Sequence, residues 1–304
     1  MTDSPRRFAV DLGKTRCRLV VADPARQPAH EGTGAPGLAA AGGVDAALSA
    51  IENVLAEVPP AEAAGVTGIG VGAAGAWAAP AAAQRLADLL ARRLGMPAVV
   101  ASDVVTAHAG ALDGAPGVLL IAGTGAAALG TDDDGVRLVD GWGPELGDLG
   151  SGSWLGREVL RAVLRAADGL GPATVLTDAI VAPVGEASDV IPWLSQGDAL
   201  ARRLATLAPL ALDAAAQGDE ASVAIADDAV RLLTATALAA SASAPDVVLH
   251  GGLTDHAWFR TRLTDALSAA GRRTRPRVGD AIDGALLLAS RRDLPHERFV
   301  HRAE

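Results

Sequence analysis

The chain has 304 residues, half of them apolar but only 3% aromatic, and a net charge of −10 at neutral pH; that length allows two domains with cores built mainly from Ala, Val and Leu. The acidic balance and scattered arginines exclude the dense basic face a nucleic-acid partner requires, and a single cysteine, Cys17, excludes an internal disulfide framework or a multi-cysteine metal site within one chain. The first residues, MTDSPRRFAVD, carry no apolar leader core, and no apolar run reaches the ~18 residues of a membrane span, so a cytoplasmic protein without membrane partners is expected.

In chain order, FAVDLGKTRCRLVVAD (8–23) reads as two β-rich runs around a glycine turn, a hairpin. A Gly/Ala/Pro segment covers 32–43, and VDAALSAIENVLAEV then has helical spacing at Val44, Leu48, Ile51 and Leu55. GVTGIGVGAAGAW is a short buried strand entering a glycine-rich loop, and AAAQRLADLLARRLG is a helix closed by Gly95. PAVVASDVVTAHAGAL gives a strand ending near Ser102 and Asp103, with a helix starting at once. The pattern then restarts: GVLLIAGTGAAALGTDDDGV is a second apolar strand, glycine turn and strand, a weak internal duplication. DGWGPELGDLGSGS is a loop, WLGREVLRAVLRAAD a helix with Gly169 beyond it, and three further helical stretches cover 172–243. PDVVLHGGLTDHAWFRTRLTDAL reads as strand, Gly-Gly turn and helix, and VGDAIDGALLLASRR as a last helix. Strands alternating with helices imply α/β layers with largely parallel pairing outside the hairpins.

The first turn, Asp11-x-Gly13-x-Thr15, holds the only lysine, Lys14; every other basic side chain is an arginine. A glycine there lets backbone amides and a hydroxyl approach a polyphosphate, and Asp11 can hold the hydrated Mg2+ that travels with it. An ordinary hairpin uses Asp and Gly for turn geometry alone. Gly123-Thr124-Gly125 is a second turn of the same kind, and the two, one opening each half, read together as a phosphate clamp. Gly251-Gly252 after VVLH is either a bare surface for adenine and ribose or a plain strand-to-helix turn. With no GxxxxGKS/T, and no GxGxxG between a first strand and a helix, neither a Walker A loop nor a nicotinamide fingerprint is present.

Asp103, at a strand end where α/β sheets bind ligands, is a candidate general base or a helix N-cap. The loop from Asp140 to Trp154 holds Gly141, Trp142, Gly143, Pro144, Glu145 and Asp148, carboxylates that can accept from sugar hydroxyls and an indole for the apolar face of a sugar. Alternatively its tryptophans are core; Ser151 or Ser153 is expected to cap the next helix in either case. On that helix Arg157, Arg161 and Arg165 recur opposite Leu155, Val159 and Val163 and read as a solvated face or a dimer rim.

Taken together these segments resemble the BadF/BadG/BcrA/BcrD-type ATPase family, whose sugar-directed members are N-acetylglucosamine kinases, within the actin–hexokinase superfamily. VDLGKT resembles its first phosphate motif, SDVVTAHAGAL its connecting motif with a catalytic Asp, and LLIAGTGAAALG its second phosphate motif. GWGPELGDLGSGSWLGREVLRAVLRAADG resembles the sugar-side loop and helix, and VVLHGGL the adenosine motif. The resemblance implies two ribonuclease-H-like (actin/hexokinase-type) α/β domains around a nucleotide-binding cleft. These are residues 1–112 and 113–304, with the last helix, near 280–292, packing back on the first. It implies ATP and Mg2+ as cofactors, the metal held by Asp11 through water. Asp11, Gly13, Lys14, Thr15, Gly123, Thr124 and Gly125 bind phosphate, Gly251 and Gly252 adenosine, and Asp103 is the base in contact with substrate. Gly141, Trp142, Gly143, Pro144, Glu145 and Asp148 bind the sugar, and a homodimer is expected from the resemblance alone.

Two departures bear on the acceptor. The family's D-G-G-G-T carries Leu12 and Lys14 here, and the Asn and Ser that hold an amino sugar in relatives are missing from GTGAPGLAAAGG and GVGAAGA; the only asparagine is Asn53, inside a predicted helix. A site selects a sugar amide or hydroxyl by pairing it, so these stretches do not set the acceptor. The leading expectation is an ATP-dependent kinase for a hydroxyl of a sugar or amino sugar (N-acetylglucosamine- or glucosamine-like). Second is a nucleotide-binding regulatory ATPase without turnover; a repressor would need a helix-turn-helix, for which the few residues before the first strand leave no room. A third, the 2-hydroxyacyl-CoA dehydratase activator, needs two thiolates per subunit for its iron–sulfur cluster, and this chain offers Cys17 alone.

Overall fold

The computed structural model describes residues 6–22, 29–197 and 199–304; residues 1–5, part of the stretch expected to lack a leader, and Asp23, the last of the expected hairpin, lie outside them. The strands are β1 (Arg6–Leu12), β2 (Arg16–Ala22), β3 (His30–Thr33), β4 (Val66–Ala73), β5 (Ala98–Ser102), β6 (Gly117–Ala122), β7 (Ala126–Asp132), β8 (Gly135–Asp140), β9 (Asp246–His250), β10 (Arg273–Arg275) and β11 (His301–Ala303). The helices are α1 (Gly43–Ala56), α2 (Pro60–Ala63), α3 (Pro80–Leu94), α4 (Asp103–Ala111), α5 (Gly152–Ala167), α6 (Leu176–Ala179), α7 (Val190–Leu194), α8 (Leu200–Ala205), α9 (Ala208–Ala216), α10 (Glu220–Ala240), α11 (Ala257–Ala269) and α12 (Ala281–Ser290). Contacts divide the chain into two compact units, residues 1–115 with 277–304 and residues 116–276.

In the first unit the sheet order is β11-β5-β4-β1-β2-β3, with β1, β4 and β5 mutually parallel and the others antiparallel to their neighbours. In the second it is β10-β9-β6-β7-β8, with β6, β9 and β10 parallel and β7 and β8 antiparallel. Each sheet thus begins as a three-stranded meander and continues into two parallel strands, so the repeated pattern of the sequence is present in the topology. Four strands that no apolar run announces, β3, β8, β10 and β11, are the four sheet edges. An edge strand is paired on one side and need not be buried on both faces, so its residues show little hydrophobic pattern. The three helical stretches expected over 172–243 are instead α6 to α10 with a 3-10 turn at Ala187–Asp189, because α6, α7 and α8 are only 4, 5 and 6 residues long.

Alternation along β1 sorts its residues between two faces. Phe8, Val10 and Leu12 join Leu48, Ile51 and Val54 of α1 and Leu86 and Leu90 of α3 in one core. Ala9, with Val20 of β2, packs instead on Ile282 and Ala285 of α12. Asp11 shares the parity of Ala9, and so belongs to the α12 face. There α4 and α12 cross with their backbones nearly touching: a methyl at Gly284 would run into the Thr106 carbonyl, and one at Gly110 into the Asp280 carbonyl. In the second unit β6 and β7 pack on α5, α9 and α10 through Val118, Leu120, Leu155, Leu212 and Leu233, with Phe259 and Leu263 of α11 closing the same core.

His108 of α4 and His296, in the 3-10 turn Pro295–Phe299, are both fully buried, with His296 Nε2 2.9 Å from His108 Nδ1. The other ring nitrogen of His296 has no partner among the described residues, and burial pushes the pKa of His296 from 6.5 down to about 4. The unfolded chain therefore binds the additional proton as pH falls below 6.5, and stability present above that pH is lost toward pH 4. Linkage for this group predicts a loss of about 2 kcal/mol between pH 7 and pH 5. Urea unfolding at the two pH values checks it: His296→Gln is expected to remove that share of the slope, and a slope equal to the parent's would refute the assignment.

Candidate active site

Asp11 lies directly opposite Arg18 in the β1–β2 ladder. The Arg18 guanidinium donates to Asp280 Oδ2 at 3.0 Å and stands 3.7 Å from Asp11 Oδ2. Asp280 is in turn the N-cap of α12, its Oδ1 accepting from the amides of Ile282 and Asp283, while Asp283 Oδ2 accepts from the Asp280 amide. Burial raises the Asp11 carboxyl above its ordinary range; Arg18 opposes this, and the neighbouring Asp103 and Asp280 carboxylates reinforce it.

Beyond Asp11 the hairpin turn closes through the Gly13 amide on the Arg16 carbonyl at 2.9 Å. Lys14 and Thr15 are exposed, and among the described residues nothing accepts from their backbone amides. Gly34 backs the turn: the Ala35 amide donates to the Gly13 carbonyl at 3.2 Å, and any side chain at 34 would collide with that carbonyl. Asp103 is the first residue of α4, and Ser102 takes the N-cap position, which shifts the capping alternative by one residue. Its Oδ1 accepts from Ser102 Oγ and from the Val104 amide, both at 2.9 Å, and its Oδ2 accepts nothing from the described residues.

In the second unit the turn Gly123–Gly125 is closed by the Gly123 amide on the Gly125 carbonyl at 3.0 Å. The first amides of α5 hold it from behind, Gly152 donating to Gly123 O at 2.8 Å and Ser153 to Thr124 O at 3.1 Å. Asp148 braces its far side by accepting the Ala126 amide at 3.2 Å, and its carboxyl fills the space a side chain at Gly125 would need. The amides of Thr124 and Gly125 remain without acceptors among the described residues. Gly251, at a φ of 107° that L side chains rarely adopt, lies against the same turn: a Cβ there would sit 2.6 Å from the Ala122 carbonyl oxygen. Gly252 begins the 3-10 turn Gly252–Asp255 and meets open space.

The loop 141–150 is organised by Asp140, which is only 4% exposed. Its two oxygens accept the amides of Asp148 and Leu149, both at 2.8 Å, and both aspartates hold positive φ, 63° and 54°, which Asp tolerates better than most residues. Trp142, Glu145 and Leu146 are exposed at the loop's outer end, and Gly141, Gly143 and Pro144 complete it.

A family model described as the BadF/BadG/BcrA/BcrD ATPase family matches residues 9–289. The chain belongs to the BadF/BadG/BcrA/BcrD ATPase family. Among curated relatives, N-acetyl-D-glucosamine kinase of Dictyostelium discoideum is 40% identical over 121 residues, 38% of this chain and 38% of that protein; the alignments to curated relatives span less than half of those proteins. Of solved structures, a Chromobacterium violaceum protein provisionally named an N-acetylglucosamine kinase superposes with a TM-score of 0.73 at 27% identity, over 94% of this chain and 99% of that one. A glucokinase of the ROK family from Streptomyces griseus, solved with glucose and AMPPNP, superposes at 0.53 and 16% identity over 92% and 97%. The two-sheet α/β architecture is therefore of the actin/hexokinase type.

Several expectations for this family member change at the residue level. Ser151 caps α5, its Oγ accepting the Trp154 amide at 3.2 Å, and Trp154 packs on the core, but Trp142 is 66% exposed and is no core residue. Arg157 is half-buried: it reaches back to donate to the Pro144 carbonyl at 2.7 Å and so ties the loop to α5. Arg161 pairs with Glu158, and Arg165 donates to the Leu170 carbonyl at 2.9 Å. Sequence reasoning misses Arg157, Asp140, Asp280 and Gly34 as site-builders, because each acts on backbone or on a partner far away in the chain. Cys17 is buried in β2. Burial, and then Asp11, push its thiol up to about 11, so it is protonated at neutral pH and ill suited to ligate a cluster. Among the described residues no group of three His, Cys, Asp or Glu is arranged to hold a metal ion, and no helix is long and apolar enough to cross a membrane.

Asp140→Asn sets an NH2 against one of two amides that now share a carboxylate. It is expected to cost about 1–3 kcal/mol, read as a lower urea midpoint; an unshifted midpoint would show that the loop does not depend on this carboxylate.

Proposed function

We propose that this chain is an ATP-dependent kinase that transfers the γ-phosphoryl group to a hydroxyl of a sugar or amino sugar of the glucosamine class, with Asp103 as general base. The observation that carries the reading is that each hairpin turn presents two consecutive backbone amides without acceptors among the described residues, those of Lys14 and Thr15 and those of Thr124 and Gly125. Paired amides in a glycine turn form the concave donor set that phosphate oxygens take. The names of the curated relatives, N-acetyl-D-glucosamine kinase and N-acetylmuramic acid/N-acetylglucosamine kinase, support the same acceptor class.

In this reading Gly13 and Gly123 shape the two phosphate turns, Lys14 adds a point charge, and Thr15 a hydroxyl. The bare surface at Gly251 and Gly252 takes the adenosine. Asp11 fits a hydrated Mg2+: it is a carboxylate with other carboxylates near enough to raise its pKa, and its closest cation, Arg18, is directed at Asp280. Bound with ATP, Mg2+ supplies charge neutralisation on the phosphate oxygens. Gly141, Trp142, Gly143, Pro144, Glu145 and Asp148 form the sugar-side loop, with the exposed indole for a sugar face and the carboxylates for its hydroxyls. The acceptor hydroxyl donates to the open oxygen of Asp103. As its oxygen bonds to the γ-phosphorus, the bond to the β–γ bridging oxygen breaks, ADP leaves, and the hydroxyl proton passes to Asp103. A cytoplasmic location and a homodimer accompany this proposal.

The test is a coupled ATP-consumption assay across hexoses and hexosamines. Asp103→Asn is expected to lower kcat about 10²- to 10⁴-fold with the KM for ATP little changed. Undiminished turnover in that variant removes Asp103 as base, and no sugar-stimulated turnover in the parent would favour a nucleotide-binding regulator.

A further inference from the structure

At the C-terminal ends of β4 and β5 the first unit holds a cavity of about 280 Å³ that the roles above leave unused, lined among others by Trp77, Ser102, Arg298, Phe299 and His301. Its walls follow from the strand order. β11 runs antiparallel to β5, with His301 opposite Val100, so the residues just before β11 lie beyond the end of β5. Trp77, in the loop between β4 and α3, stacks on Phe299 with ring centroids 4.3 Å apart and planes 18° apart. The Arg298 guanidinium lies 4.6 Å from the centre of the Phe299 ring. On the inner side is the buried Ser102, whose hydroxyl donates to Asp103 Oδ1 at 2.9 Å.

The charge pattern is specific. Acidic residues outnumber basic ones 36 to 26 in this chain, and the neighbouring Glu297 is engaged by Arg302 at 2.7 Å. Arg298 nevertheless has no carboxylate within ion-pairing distance among the described residues. Burial lowers the pKa of His301, so it does not compete as a cation at neutral pH. The cavity therefore joins a flat aromatic wall to one uncompensated guanidinium, a single residue away from the candidate base. Its volume falls just under the ~300–1,000 Å³ of sites that hold a whole ligand, which suits a substituent rather than a second substrate.

We propose that this cavity is a specificity subsite for a carboxylate-bearing substituent on the acceptor sugar, with its apolar part on Trp77 and Phe299 and its carboxylate on Arg298. A guanidinium fork matches a carboxylate geometrically and is already oriented here by the ring beneath it. The inference rests on the kinase reading, and selects among its acceptors those with an acidic side group. Arg298 is exposed, so its replacement does not disturb the core.

The experiment compares two acceptors, an N-acylated 2-amino sugar and the same sugar carrying a carboxylate on an ether substituent, in the parent, Arg298→Gln and Arg298→Lys. Arg298→Gln is expected to lower the ratio of kcat/KM for the acidic over the neutral sugar about 10- to 100-fold, the range for losing a charged hydrogen bond, and Arg298→Lys to restore part of it. An unchanged ratio, or equal loss for both sugars, overturns the subsite. If neither sugar is phosphorylated, the kinase reading fails by itself. Calorimetric titration of the acidic sugar then decides the cavity: binding weakened by Arg298→Gln supports it, and equal or absent binding refutes it.

Discussion

One buried carboxylate sets the geometry on which the second unit's candidate site depends. Asp140, at the end of β8, takes the amides of Asp148 and Leu149 on its two oxygens, and so holds a loop in which two aspartates adopt left-handed backbone. That places the Asp148 carboxyl under the turn Gly123–Gly125, where it accepts the Ala126 amide. The same loop delivers Ser151 as the cap of α5, whose first amides then bond the carbonyls of Gly123 and Thr124. The start of α5, where a helix would ordinarily offer its free amides to an anion, is thereby occupied by the turn. The donors left over are the turn's own, at Thr124 and Gly125. Two short glycine-flanked amides would be mobile if unsupported; here the carbonyls of Gly123, Thr124 and Gly125 and the amides of Gly123 and Ala126 all have partners, so the pair is held in advance of any ligand.

A second constraint is steric. The core is rich in alanine, leucine and valine with few aromatics, and at several places backbone packs directly on backbone. Gly34 against the first turn, Gly251 against the second, and Gly110 with Gly284 where α4 and α12 cross are all sites where one methyl would collide with a carbonyl. Such contacts fix position more tightly than long side chains, which can change rotamer. They also explain how α4, which carries Asp103 at its first residue, and α12, which carries the cap Asp280 that holds Arg18, keep a common register: the Gly110–Asp280 and Gly284–Thr106 approaches admit little sliding.

Much of this was legible in the sequence because the elements that flank the candidate site also carry strong local signals. β1, β2, β4, β5, β6, β7 and β9 are apolar runs bounded by turn-forming residues such as Gly, Pro, Asp and Thr, and α1, α3 and α5 have clear 3.6-residue spacing. The edges β3, β8, β10 and β11 were not legible, since pairing on one side only leaves no hydrophobic pattern, and β10 reads simply Arg-Thr-Arg. The short helices between 176 and 205 blurred into longer ones because a helix of 4 to 6 residues contains barely one period. At the site, residue types and turns could be read, but partners could not. Arg157 looked like one of three equivalent surface arginines; only the fold shows that it alone reaches the Pro144 carbonyl. Trp142 and Trp154 were indistinguishable until the loop conformation sent one outward and one into the core.

The electrostatics of the first unit turn on a choice made by Arg18. Three carboxylates, Asp11, Asp103 and Asp280, lie close enough that the latter two raise the pKa of the first, and of the two guanidiniums that oppose them, Arg18 and Arg16, Arg18 acts the more strongly. Its direct hydrogen bond goes to Asp280 at 3.0 Å, while Asp11 is 3.7 Å away. A guanidinium bonded directly to Asp11 would both neutralise it and occupy its oxygens. Held by the cap of α12 instead, Arg18 lowers the cost of keeping Asp11 charged without taking its lone pairs, since Coulomb attraction persists at a distance where a hydrogen bond does not. Asp280 can play this part because its other oxygen is already fixed on the amides of Ile282 and Asp283, so the helix cap sets where the cation sits. The position of a positive charge beside the first hairpin turn is thus determined by how a helix some 260 residues further along the chain begins.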